Sequence, residues 1–585
     1  MTFFTALRYY DDNETAVINA QTPLGLIIQN FPATGRNFYG YGRMDAGLSP
    51  KNKLGVAYKY KDKSKTNRNV GGFDLPARAL NLFDRENEVR VFDNAILSDR
   101  LLNNVRLSLK DEPTGTSSLT NQPALLVPGA FNGGGGQISQ QLRERDINAQ
   151  DILDYFRVAQ DFRFGGGAIV RSFNASNSSN FGGSFSFSSL AAFSAGTPFL
   201  FTMNTGNPNT RFSQNEYFAF ASDETQLGPR GSVSMGLRYE GQSNVGEQDN
   251  FGPRLGFAFN PHGGRTVIRL GGGIFYDRQP PVMQQDERLY GGQQIRQAVI
   301  ANPGYPVAIS NPGQLQFSIP SILRVAPNIG VPTTIQGNIS VERRFGSGQN
   351  FLTLDFTTLR GTNLYLNHNL NAPLPSSGFL IRPNPNFINI NQFESSGSSL
   401  GNFLTASYRT TIRRRLNLFT QYTLSKSQDN TSGFLYIPSN NYNIQADWGR
   451  SNFDQLHRFK VLGTYELPYG FDAGLIFNAH SGFPYNITTG FDNNHDTVAN
   501  DRPPGVGRNT GNGPGAMDMD VHLARNFRLR RENSKPKLQI GIDAFNVFNT
   551  VNYKNFVGVL TSPYFGFADA ALPACEVQLS VRIKF

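Results

Sequence analysis

Apolar and polar residues alternate with a period of two along this chain, over segments of about ten residues that end in turn-forming sequence. In the last segment Val577, Leu579, Val581, Ile583 and Phe585 fall on one face, and Gln578, Ser580, Arg582 and Lys584 on the other. Val233, Met235, Leu237 and Tyr239 oppose Ser234, Gly236, Arg238 and Glu240 in the same way. Met517, Met519, Val521 and Leu523 likewise oppose Asp518, Asp520 and His522. Such strands need a greasy environment on one side and a wet one on the other. A soluble sandwich supplies both, and so does a barrel with lipid outside and water inside. Periodicity alone leaves the two open. Membrane-crossing helices are excluded, because they need about 20 mostly apolar residues and unbroken apolar runs here reach only about four, as in Ala298 to Ala301.

The lengths of the connections discriminate further. Tight ones fall near 530–536, 467–470, 413–415, 345–350 and 261–265, and long ones rich in Asn, Gly, Ser and Pro lie between them near 548–575, 482–516, 427–455, 363–401 and 278–331. Short turns alternating with long loops are the habit of outer-membrane barrels. The fold class expected is therefore all-β, a transmembrane antiparallel β-barrel of about 22 strands with no helical segment. The count includes strands at 2–10, 37–47, 182–190 and 196–204, and it is even, which puts both termini on the short-turn side. Lipid offers no partner for a backbone N–H or C=O, so the sheet has to close on itself. A lumen of this size is too wide for side chains to fill. Inward residues such as Arg238, Asp518, Asp520, Gln578 and Arg582 are polar enough to hold water there. The interior is expected to be open or obstructed by loops, either 278–331 folding inward or residues 1–36 acting as a reduced plug.

Composition narrows the function classes. With 48 Phe and 22 Tyr in 585 residues the chain is too aromatic to be disordered, and no composition break or linker divides it. The net charge of +10 is spread along the alternating segments, with small knots at Arg343–Arg344, Arg413–Arg415 and Arg528–Arg531. No aromatic-basic recognition module accompanies them, so nucleic acid is not an expected partner. The single Cys575 excludes an internal disulfide and reads as a small buried or interface residue. The opening residues lack the pattern of a secretion signal.

Particular runs then carry a resemblance. Asp454-Gln-Leu-His457-Arg458-Phe459, followed by Tyr465-Glu466-Leu467-Pro468-Tyr469-Gly470, resembles the C-terminal barrel of TonB-dependent outer-membrane receptors, particularly the Oar-like group. Pro253 to Phe257, Gly273 to Asp277, Arg360 to Tyr365, Tyr422 to Ser427, Asp501 to Pro503 and Phe545 to Asn549 resemble the same group, in the same order. The resemblance implies an active transporter: a barrel, a plug inside it, and a TonB box pulled by an energised inner-membrane partner. It places the chain in the outer membrane of a Gram-negative type cell, with both termini periplasmic. Outer-membrane lipid and lipopolysaccharide surround the barrel, the barrel-assembly machinery inserts it, and long outer loops meet an unknown extracellular ligand. Since the first strand begins near residue 2, residues 1–585 read as the barrel portion alone, with the plug, the signal and a regulatory-like module outside it. TonB would then be reached only through that plug.

Candidate sites are few. Asp492, Asn494 and Asp496 have the spacing that gathers oxygens around Ca²⁺, but Thr497 stands where the loop needs Gly and no Glu follows at position twelve, so a solvated turn competes with weak metal binding. Gly133 to Gly136 lacks the Gly-Lys-Ser/Thr of a phosphate loop. The histidines His262, His368, His457, His480, His495 and His522 form no metal-binding helical pair, and no Gly-x-Ser-x-Gly elbow is present, so neither a cofactor nor an enzyme is expected. Arg413 to Arg415 sits at a short turn, where it is either simply solvated or in contact with a plug. Val577, Leu579, Val581, Ile583 and Phe585 resemble the C-terminal assembly signal of outer-membrane proteins. A surface adhesin or organiser and a passive pore are the competing functions.

Overall fold

The computed structural model describes residues 1–261, 264–308, 319–346, 349–528 and 537–584. His262, Phe585 and most of the basic knot at Arg528–Arg531 therefore lie outside the described residues. Twenty long strands form one antiparallel ladder. They are β1 (Thr2–Thr22), β2 (Gly25–Ser49), β3 (Asn52–Arg68), β4 (Leu80–Ser98), β5 (Leu101–Ser118), β6 (Ser139–Phe156), β7 (Gln160–Asn177), β8 (Asn209–Gln226), β9 (Gly231–Gln242) and β10 (Phe251–Phe259). The second half comprises β11 (Thr266–Tyr276), β12 (Thr333–Phe345), β13 (Asn350–Asn369), β14 (Ile390–Ile412), β15 (Leu416–Asp429), β16 (His457–Leu467), β17 (Phe471–His480), β18 (Ala516–Arg528), β19 (Lys537–Phe545) and β20 (Glu576–Lys584). Each pairs with the next in sequence, from β1–β2 to β19–β20.

Directly paired residues share a face, so the register carries one inside-outside assignment across the whole sheet. On β3 the outward row Leu54, Val56, Tyr58 and Tyr60 gives way to Asp62, Ser64 and Thr66. Val105, Leu107 and Leu109 on β5 give way to Asp111 in step with it. The outward apolar band is thus about 20 to 25 Å tall at the rise of a strand, the height of a membrane core. Val577, Leu579, Val581 and Ile583 are each more than half exposed on this face, as a lipid-facing row must be.

Several strands are much longer than the roughly 9 to 11 residues that cross a membrane: β1 has 21, β2 has 25 and β14 has 23. The extra length changes one expectation. Residues 11–36 were expected to connect two strands, but they continue both, and only Pro23 and Leu24 make the turn. Above the apolar band the outward face becomes polar at Asp11 and Asn13, which hides the alternation without ending the hydrogen bonding. The upper edge of β1 is paired in turn by loop backbone: Asn19 N–H donates to Gly72 O at 2.8 Å and Gln21 N–H to Ala130 O at 3.0 Å.

Two other expectations are corrected. Segments 182–190 and 196–204 are not barrel strands. Short strands at Ser184–Ser186 and Leu200–Gly206 instead join Ala124–Val127, Phe131–Gly133 and Ile295–Ala301 in a small sheet at the long-loop end. Their alternating apolar side packs Phe185, Phe187 and Phe201 against Ile18, Val127 and Phe131, so it faces a protein core rather than lipid. Losing both segments keeps the strand number even. Helices are also present: α1 (Leu190–Ser194), capped by the Ser189 hydroxyl, which accepts from Ala192 N–H, and α2 (Pro281–Tyr290). Cys575 is exposed rather than buried.

A charge on the lipid face at mid-height should cost about 2 to 4 kcal/mol. Leu107→Arg is expected to lose that much in reversible unfolding from bilayers, while Asn104→Arg, on the inward face of the same strand, should lose little. Equal losses would contradict the assignment of faces.

Candidate functional site

The inward face carries a chain of ion pairs. Lys59, Lys61, Lys63 and Lys65 occupy alternate positions of β3 and so project to one side. Asp84, Glu86 and Glu88 face them from β4. Lys61 Nζ lies 2.8 Å from Asp84, 3.1 Å from Glu86 and 2.7 Å from Glu112. Lys110 stands 3.0 Å from both Glu112 and Asp146. Arg171 Nε donates to Glu144 at 3.0 Å and Nη1 to Glu216 at 3.0 Å, and Arg278 completes the chain on Glu216. A half-buried charge loses hydration that only close opposite charges replace, which accounts for the pairing. The signal was present in the sequence, as lysines and carboxylates at every second position of 59–65 and 84–88, though their partnership was not anticipated.

After β11 the chain folds into the lumen over this wall. Gln279 backbone N–H donates to Gln242 Oε1 at 2.9 Å, and its carbonyl accepts from Gln242 Nε2 at 3.0 Å and Gln214 Nε2 at 3.2 Å. All three glutamines are buried. Pro281 then opens α2, where its fixed φ suits the first turn and its missing N–H costs nothing. Met283 and Leu289 are buried, and Met283 packs in a cluster with Ala326, Ile329, Tyr365 and Phe393. Glu287 Oε1 accepts from Val325 N–H at 3.0 Å, fixing the helix to the returning chain. Other α2 residues, Val282, Gln285, Asp286 and Tyr290, line a chamber of about 950 Å³ against the inner wall of β3 to β8. Burial pushes the Asp286 carboxyl up to about 7 and the Tyr290 phenol up to about 12.

The remaining long loops interlock at the same end. Asp447 accepts from Tyr436 Oη at 2.7 Å, Ser439 Oγ at 2.8 Å and Arg502 Nη2 at 2.5 Å. Arg382 donates to Ile388 O and to His495 O, both at 2.7 Å, and Arg508 pairs with Asp429. Thr561 Oγ1 reaches across to Ser188 O at 2.8 Å.

The candidate metal residues lie within this assembly. Asp492 and Asn494 turn their oxygens on the chain itself: Asp492 accepts from Asp496 N–H at 3.0 Å and Thr497 N–H at 2.9 Å, and Asn494 Oδ1 from Asp496 N–H at 3.0 Å. Asp496 accepts from Val498 N–H at 3.0 Å and Asn441 Nδ2 at 2.8 Å. Thr497 adopts the left-handed φ of 78° that the missing Gly would have provided. The three side chains come together, but as acceptors that shape a turn. Among the described residues no group of three or more His, Cys, Asp or Glu is arranged to hold a metal ion. Arg413 and Arg414 make the short turn between β14 and β15, both with left-handed φ, at the end opposite these loops.

The alternation, the lipid-height band and the polar interior define a membrane barrel, and the comparisons agree. The model of the outer membrane beta barrel domain matches residues 6–250, 241–506 and 504–578. The chain belongs to this family. Its place is therefore the outer membrane. No curated protein matches the sequence. Among solved structures, this outer-membrane barrel is similar to the outer membrane transporter YddB from Escherichia coli, with TM-score 0.69 and 12% identity over 99% of this chain and 72% of that one. The ferric enterobactin receptor PfeA from Pseudomonas aeruginosa matches with TM-score 0.64 and 13% identity, over 99% and 75%. The copper transporter OprC matches with TM-score 0.56 and 12% identity, over 98% and 75%. At these identities the likeness is one of fold.

Closure of the long loops of the barrel should depend on pH. Burial, together with the negative charge of Asp492 and Asp501, raises Asp496 to about 7; burial also raises Asp492 and Asp501. In an opened loop Asp496 returns toward its ordinary 3.8, so between that value and about 7 the closed loop binds more protons. Closure is strongest below this window and weakens as pH rises through it. Hydrogen-exchange protection of the 494–498 amides, corrected for intrinsic rates, should fall from pH 5 to pH 8 and fall less in Asp496→Asn. Equal protection at both pH values in the wild type would contradict this.

Proposed function

We propose that this protein is the barrel of a TonB-dependent outer-membrane receptor, whose interlocked long loops capture ligand and whose lumen is the passage, obstructed at rest by the inward-folded connection between β11 and β12. The observation that carries the reading is the clamp on Gln279, which seats α2 against the lumen wall above a chamber of about 950 Å³. An adhesin would gain most from displaying its longest connection outward, and a passive pore would leave the lumen clear. The receptor and transporter functions named for PfeA, YddB and OprC support the same reading. On it the short-turn end, with Arg413 to Arg415 and both termini, faces the periplasm, and TonB acts through a plug segment in place of direct contact with the strands.

Three hydrogen bonds of roughly 1 kcal/mol each tie Gln279 to Gln214 and Gln242. Their removal in the double variant Gln214→Ala, Gln242→Ala should raise the open population by about two orders of magnitude. Planar-bilayer recording of the refolded chain should show small, rare openings in the wild type and frequent large ones in the variant. Large steady currents in both would establish a passive pore. Identical small currents in both would show that α2 is not the obstruction.

A further inference from the structure

The charges around the chamber under α2 cancel in a telling way. Asp84 is taken by Lys61, Lys65 lies 3.4 Å from Asp12, and Glu144 and Arg171 pair with each other. Two lining groups remain without an ion-pair partner among the described residues. One is Lys63, whose Nζ sits 5.5 Å from the centre of the Tyr39 ring. The other is Asp286, carried by α2, which has no hydrogen-bond partner among the described residues either. One positive and one negative charge thus open into the same space.

The lining also offers apolar surface. Phe173 and Phe212 stack with centroids 4.7 Å apart, and Val282 and Leu435 add aliphatic surface. A volume of about 950 Å³ is at the upper end of what small-ligand sites occupy, and a free-ended tripeptide spans about 10 Å when extended.

We infer that this chamber takes a zwitterionic ligand with an apolar body, a short peptide with free ends, its carboxylate on Lys63, its ammonium on Asp286 and its apolar side chain on Phe173 and Phe212. The inference rests on reading the lumen as a ligand passage. A cation placed against Asp286 would also oppose the effect of burial, which raises that carboxyl to about 7. Neither an anion nor a cation alone would satisfy both residual charges, and an uncharged apolar molecule would satisfy neither.

The test uses the refolded full chain in detergent and calorimetric titration with four probes: glycyl-phenylalanyl-glycine, its N-acetyl form, its C-terminal amide and the doubly capped form. The free-ended peptide should bind, and each cap should weaken binding at least about tenfold, as expected for loss of a charge-assisted contact. Lys63→Met should abolish the penalty of the amide while keeping that of the acetyl group, and Asp286→Asn should do the reverse. Equal affinity for the free-ended and doubly capped peptides overturns the inference, and so does absence of binding by all four. If either variant abolishes both penalties together, the two residues act as partners for each other and the inference is again overturned. The wild-type comparison stands even if a variant fails to refold. Conductance of the glutamine double variant is read independently, so loss of the peptide pattern with the conductance step intact defeats this inference alone.

Discussion

Backbone hydrogen bonding in lipid is the constraint on which the rest of this structure depends. No water is available in the hydrocarbon layer, so each N–H and C=O must meet a neighbouring strand. The ladder from β1 to β20 pairs each strand with the next in sequence order, and its register carries a single inside-outside parity across the apolar band. That parity brings His522 opposite Asp543 and Asp543 opposite Gln578 on the inner wall, while Leu523 and Ile542 face out together. A slip of one residue on β3 would place Lys59, Lys61, Lys63 and Lys65 in lipid, which is why so long a sheet admits so little freedom of register.

The interior follows from that assignment. Polar side chains turned inward still need partners wherever water is scarce, and the wall from Lys59 to Arg278 supplies them by alternating sign from strand to strand. The lumen is too wide for such side chains to close. A returning connection partly fills it instead, held through the backbone of Gln279 and the buried Met283 and Leu289. The hold is local, a few hydrogen bonds and one small apolar cluster, and local attachments of this kind open before the strands themselves do.

The barrel was legible in the sequence because its defining property, period-two alternation, is local. Segments such as 233–240, 517–523 and 577–583 show it without interruption. Several residues of the resembling runs prove to be junction locks between strand and loop: Asp454 accepts from Ser427 N–H at 2.7 Å and Arg450 Nε at 2.7 Å, and Asn546 N–H donates to Asp520 at 2.9 Å. Alternation could not tell lipid from protein as the greasy partner, so Phe185, Phe187 and Phe201 suggested membrane strands while packing in a loop core. The helix α2 was hidden by its opening Pro280–Pro281 and its ten-residue length, both of which suit a loop equally well. The chamber was not legible at all, since it joins β3 to a helix more than two hundred positions away, and nothing in either segment names the other.

Odd and even positions of the spanning strands live in different solvents, and a spin-label scan reads that difference position by position. Single cysteines at residues 104 to 109 of β5, in a background carrying Cys575→Ser, would be labelled in bilayers and exposed to oxygen, which partitions into lipid, and to a water-soluble nickel chelate. Collisions should alternate strictly, with positions 105, 107 and 109 favouring oxygen and positions 104, 106 and 108 favouring the chelate. Collision rates that vary smoothly along the strand, or that favour one reagent at all six positions, would contradict it.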